Sequence, residues 1–150
     1  MKKGNLLNVR GLSVEFHTDS GVVKAVNGMD LSLNKKETLG LVGETGAGKT
    51  TTALAILNLV PDPPGIISAG EIEFEGENIL KKKEKEMRKI RGGKISMIFQ
   101  DPMTSLNPVM TIGKQIEEVF TLHTDLDKKE IKEKTLEMLD VVGIRRERVN

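Results

Sequence analysis

The chain has no cysteine, tryptophan or tyrosine, and its large apolar rings come from only four phenylalanines. Without cysteine, disulfides and thiolate metal sites are excluded, which fits a reducing compartment. Charge of one sign is also missing: 23 basic and 22 acidic residues leave a formal net charge of +1. No global field therefore draws in nucleic acid, and no nucleic-acid partner is expected. Long apolar runs are absent as well. The longest candidate, Ala53 to Val60, is broken by Asn58 and stops at Pro61, far short of the roughly 20 residues that span a bilayer. Met1-Lys2-Lys3-Gly4-Asn5 has no apolar stretch of signal-peptide length behind it. The expectation is a chain with no membrane span of its own, whose membrane connection runs through a partner.

What is present is ordinary for a globular protein, with 37% hydrophobic and 30% charged residues in 150. That length serves one domain or part of a larger one. The first forty residues read as short β segments: Leu6 to Val9, Leu12 to Phe16, Val22 to Val26 and Met29 to Leu33, with a turn signal at Thr18-Asp19-Ser20-Gly21. Thr38-Leu39-Gly40-Leu41-Val42 is nearly continuous in apolar residues, the pattern of a strand buried on both faces. A helix is expected from Lys49 to Val60, ended by Pro61-Asp62-Pro63-Pro64-Gly65. Glu71 to Phe74 alternates as a strand, and Glu84 to Arg91 reads as a charged helix stopped by Gly92-Gly93. Lys94 to Phe99 reads as a second apolar strand. Beyond it, Thr111 to His123 looks helical, and Asp127 can cap a helix over Lys128 to Val142, closed by Gly143. Ile131, Thr135, Met138, Leu139 and Val142 share one face of that last helix. Lys81-Lys82-Lys83-Glu84-Lys85-Glu86 reads as a solvated face; its interrupting glutamates make it a weak site for anionic lipid.

Between the apolar run and the first helix, Gly43-Glu44-Thr45-Gly46-Ala47-Gly48-Lys49-Thr50 matches G-x-x-x-x-G-K-[ST] at every fixed position. Chance alone yields such a match in about one chain in two hundred of this length, given ordinary glycine usage, and the strand before and helix after lower that rate. Each residue type has a chemical reason. Main-chain N–H groups can surround phosphate oxygens only where side chains leave room, and Gly43, Gly46 and Gly48 permit the bent path. The loop delivers the anion to a helix N-terminus, whose dipole and free N–H groups favour negative charge. Lys49 adds a positive charge for the β- and γ-phosphates. Thr50 can ligate Mg²⁺, and Thr51 can donate another hydrogen bond to phosphate. A guanine-reading N-K-x-D element is not found downstream; Asn34-Lys35-Lys36-Glu37 lies before the loop and ends in the wrong residue.

Leading β segments, the loop Gly43 to Thr50 and Phe99-Gln100-Asp101-Pro102 some fifty residues later together resemble the nucleotide-binding domain of ABC transporters. More narrowly, Gly40 to Lys49 and Ile98-Phe99-Gln100-Asp101-Pro102-Met103-Thr104-Ser105-Leu106-Asn107-Pro108 are similar to the oligopeptide, dipeptide and nickel importer subfamily, as is Val142-Gly143-Ile144 after a helix. The resemblance covers essentially the whole chain, as the N-terminal portion of such a subunit. It implies an α/β P-loop NTPase fold with a RecA-like core, an N-terminal antiparallel β subdomain and the start of an α-helical subdomain. Residues 1–100 would carry the core and the phosphate loop, and 101–150 the segment after Gln100 and the first helices. The ligands implied are ATP and Mg²⁺.

The resemblance assigns Gln100 to the glutamine that touches Mg²⁺ or its water and reports the γ-phosphate; a glutamine merely capping a strand is the other reading. An aromatic residue upstream of the loop stacks on adenine in this family. Phe16 is the candidate and His17 the substitute, against the alternative that Phe16 is a core residue on an alternating strand. His17 and His123 show no ligand-like pairing. The implied partners are transmembrane permease subunits, contacted near Pro102 to Pro108, and a second ATP-binding subunit. The implied location is cytoplasmic, peripheral on the inner face of the cell membrane. The signature segment of the L-S-G-G-Q type, the second apolar strand ending in Asp-Glu and the switch histidine of this family are not found in these 150 residues. The chain alone is therefore expected to be inactive in hydrolysis, and apolar faces of its core to lie uncovered.

Overall fold

The computed structural model describes residues 5–101 and 105–149. It divides into two units, residues 1–88 and 89–150. The first is built on β1 (Leu7–Thr18), β2 (Gly21–Leu33), β3 (Gly65–Phe74) and the short β4 (Glu77–Asn78). These form one antiparallel sheet in the order β2-β1-β3-β4. Alternation along β1 sends Leu7, Val9, Leu12 and Val14 inward, where they are buried with Val26, Ile72 and Phe74.

Two long strands replace the four short ones expected in residues 6–33. The expected turn at Thr18-Asp19-Ser20-Gly21 joins them, and the other breaks are β-bulges: register shifts fall between Val9 and Leu12 and again between Leu12, Val14 and Glu15. Gly11 (φ 57°) and Gly28 (φ 65°) supply the left-handed backbone at these places. Polar side chains catch the displaced amides. Gly11 N–H donates to Asp30 Oδ1 at 2.7 Å, and Gly28 N–H donates to Ser13 Oγ at 3.0 Å.

Helix α1 (Lys49–Ile56) is shorter than expected. Asn58 takes a left-handed conformation (φ 51°). Its N–H then donates to Ala55 O and that of Leu59 to Leu54 O, closing the helix before the prolines are reached. Helix α2 (Glu84–Ile90) carries its expected charge, with Arg88 paired to Glu84.

The two segments read as strands, Thr38 to Val42 (buried on both faces) and Lys94 to Phe99 (apolar), are corrected by the structure. Among the described residues neither joins a sheet; the second has only an isolated bridge between Arg91 and Ile95. Val42 and Ile98 are each 94% exposed. A strand, unlike a helix, draws its hydrogen bonds from neighbours. Apolar sequence without a paired neighbour forms no strand and stays wet. The uncovered apolar faces expected from the sequence are thus observed.

The second unit holds α3 (Ile112–His123) and α4 (Lys128–Val141). Thr111 caps α3 by accepting from Lys114 N–H, and Asp127 opens α4 in a reciprocal capping box with Glu130. At the other end, Gly143 at φ 73° lets its N–H donate to Asp140 O and that of Ile144 to Leu139 O. Of the five residues expected on one face of α4, Ile131, Thr135 and Leu139 are buried, whereas Met138 and Val142 are exposed.

The Thr135 hydroxyl is fully buried with no hydrogen-bond partner among the described residues. An unpaired buried hydroxyl destabilises, so Thr135→Val, equal in shape, is expected to raise stability by about 1 kcal/mol. Urea unfolding followed by circular dichroism reads this directly; a lower midpoint would mean that the hydroxyl is satisfied.

Candidate functional site

The phosphate-loop sequence lies between the unpaired apolar run ending at Val42 and the start of α1. Ala47 N–H donates to Glu44 O at 3.1 Å, forming a turn. Gly46 (φ 85°) and Gly48 (φ 78°) both adopt left-handed backbone, so two of the three loop glycines are required by conformation. Gly48 is the N-cap of α1, and no side chain caps that end. The first-turn amides of α1 therefore remain open to an outside acceptor.

Lys49 folds back over the loop. Its Nζ donates to Gly43 O at 2.6 Å and to Glu44 O at 2.7 Å. This bracing places the ammonium above the bend formed by residues 43–48. Thr50 is exposed and Thr51 half-buried. Loop amides, an uncapped helix and an ammonium together suit a polyphosphate. Among the described residues no group of three His, Cys, Asp or Glu could hold a metal ion. The exposed Thr50 hydroxyl suits Mg²⁺, which commonly takes few protein ligands and completes its shell with phosphate oxygens and water.

Phe16 lies on β1 between Val23 of β2 and Gly65 of β3. Its ring is half-buried and rests on Gly65, where a Cβ would fall 2.8 Å from the ring. His17 is exposed and lies 3.8 Å from the Glu15 carboxylate. Gln100 is exposed in the second unit, at a bend after residues 96–99, which carry no regular structure. Pro102, Met103 and Thr104, part of the segment expected to meet a permease, lie outside the described residues.

Residues not singled out by sequence complete the back of the loop. A bulge places one extra residue, Ala25, in β2 between the partners of Val14 and Glu15. The Ala25 carbonyl and Val26 side chain press on Gly48, and a Cβ at Gly48 would collide with that carbonyl. The fully buried Thr52 donates its hydroxyl to Gly48 O at 2.9 Å and lies 3.4 Å from Met29 Sδ on β2. No local signal marks Ala25 or Met29; only the register of a bulged ladder brings them to the loop.

A glycine-rich bend leading into an uncapped helix, beside an antiparallel β subdomain, defines a P-loop nucleotide-binding protein. Solved structures agree on the fold. An ATP-binding cassette, MJ0796, in a dimeric post-hydrolysis state bound to ADP and Pi superposes with a TM-score of 0.80 at 20% identity, covering 96% of this chain and 60% of that one. A family model described as ABC transporter matches residues 26–150. The chain belongs to the ABC transporter ATP-binding family. It is 50% identical over 139 residues to the oligopeptide transport ATP-binding protein OppD of Bacillus subtilis, covering 93% of this chain and 39% of that protein. It is 44% identical over 139 residues to the dipeptide transport ATP-binding protein DppD of the same organism, covering 93% of this chain and 42% of that protein. The chain thus spans well under half the length of these relatives.

Proposed function

We propose that this chain is the nucleotide-handling portion of an ATP-binding subunit that couples ATP to the import of oligopeptides or dipeptides. The observation that carries the reading is the Lys49-braced loop opening onto the uncapped N-terminus of α1. The oligopeptide and dipeptide names of its relatives support the substrate class. In this reading, amides of residues 43–48 and the Lys49 ammonium hold the phosphates of ATP. The Thr50 hydroxyl serves Mg²⁺, Thr51 donates to phosphate, and Phe16 offers a face to adenine; Gln100, in the second unit, keeps the γ-phosphate-reporting role that the family resemblance gives it. Mg²⁺ supplies charge neutralisation on the phosphates when bound.

Residues 1–100 provide the cradle in this assignment, and 101–150 begin the segment that addresses partners. Those partners are transmembrane permease subunits and a second ATP-binding subunit, on the inner face of the membrane. In keeping with this, no helix among the described residues is long and apolar enough to cross a membrane.

The absence of the signature and Asp-Glu segments from the sequence favours a specific behaviour for the 150 residues by themselves: MgATP is held without turnover. Equilibrium binding of ATP with and without Mg²⁺, alongside a phosphate-release assay, tests both halves. Saturable Mg²⁺-dependent binding without phosphate release is the expected result. Release that disappears in Lys49→Ala would overturn the non-hydrolytic half, and no binding at all would overturn the reading.

A further inference from the structure

Helix α1 is tied to β2 at two points on one side of the phosphate loop. The first is steric. The bulged Ala25 puts its carbonyl where a side chain of Gly48 would stand, so only glycine lets loop and strand approach this closely. The second is polar. Thr52 is 2% exposed, and its hydroxyl donates to Gly48 O while lying against Met29 Sδ. Gly48 O also accepts from Thr52 N–H at 2.8 Å. One carbonyl at the helix entrance is thus held by both the amide and the hydroxyl of a single residue.

The same stretch of β2 pairs with the part of β1 that carries Phe16. Val26 faces Val14, Lys24 faces Glu15, and Val23 faces Phe16. Ala25, against Gly48, lies within that stretch, while Met29, opposite Leu12, holds the same strand further along; in the nucleotide reading one ligand would meet both the loop and the strand face carrying Phe16. A ligand bound at both ends gains affinity from the second contact only if the spacing of the two surfaces is held in advance.

We propose that Thr52, clasped to Met29 and Gly48, is a positioning residue that sets the spacing between the phosphate cradle and the strand face carrying Phe16. Thr52 need not touch nucleotide; it acts through the Gly48 carbonyl and through β2. The inference rests on the nucleotide reading above and adds to it a determinant of discrimination between a nucleoside triphosphate and a bare polyphosphate.

The test compares ATP with inorganic tripolyphosphate, each with Mg²⁺, on the 150-residue chain. Thr52→Val keeps shape and removes the hydroxyl. ATP affinity is expected to fall about 5-fold, the usual worth of one hydrogen bond, while tripolyphosphate affinity changes by less than about 2-fold. Thr52→Ser is expected to restore the wild-type ratio.

Met29→Ala releases the strand side of the clasp and should lower the same ratio, which keeps the test decisive if Thr52→Val does not fold. Equal losses for both ligands, or no loss for ATP, would overturn the positioning role and leave only packing. Failure of the underlying reading is distinguishable, because wild-type ATP binding would then be absent or indifferent to Lys49→Ala.

Discussion

Lys49→Ala is expected to weaken MgATP binding about 50-fold, because charge-assisted hydrogen bonds to phosphate contribute about 1.5–3 kcal/mol. The free state already holds this ammonium over the loop, on Gly43 O and Glu44 O. Binding therefore redirects an oriented group and need not recruit a free one, which limits the entropy lost. The same substitution strips two carbonyls of their donor, so the loop should loosen as well. Lys49→Arg would not repair the site, since a planar guanidinium cannot act as a compact point charge within that bend. Titration with a fluorescent ATP analogue measures the change. An unchanged affinity would remove Lys49, and with it the loop, from the binding site.

Gly48→Ala is expected to cost about 2–4 kcal/mol of stability. Two penalties coincide there. The backbone sits at φ 78°, where a Cβ is strained. The added carbon would also meet the Ala25 carbonyl, which belongs to a ladder and cannot swing away as a side-chain tip could. Gly46→Ala separates the two effects. Gly46 has a similar φ of 85° but nothing within 4 Å of an added Cβ, so only the conformational cost of about 1 kcal/mol remains. Chemical denaturation of the two variants should place Gly48→Ala well below Gly46→Ala. Equal midpoints would show that β2 does not press on the loop.

Several features of the site are legible in the order of residues. Gly43 to Thr50 form a motif whose parts lie within eight consecutive positions, so spacing in sequence is spacing in space. The caps of the helical unit are legible for a similar reason. Asp127 and Glu130 satisfy each other's backbone within one turn, and Gly143 ends the helix through its own left-handed conformation. The early end of α1 is harder to read, because Asn58, unlike glycine, gives only a weak sign that it will turn left-handed.

Phe16 illustrates the opposite case. Its candidacy comes from family resemblance and its position before the loop, but its half-buried ring on Gly65 follows from pairing with a strand nearly fifty residues away.

The sequence by itself determined the phosphate loop, the helix starts and the class of chemistry, because each depends on contacts within one or two turns of chain. Tertiary structure alone decided that Ala25 and Met29 stand behind the loop, that two long bulged strands replace four short ones, and that Val42 and Ile98 lie exposed. A helix closes its hydrogen bonds internally, whereas a strand is completed only by whatever chain lies beside it.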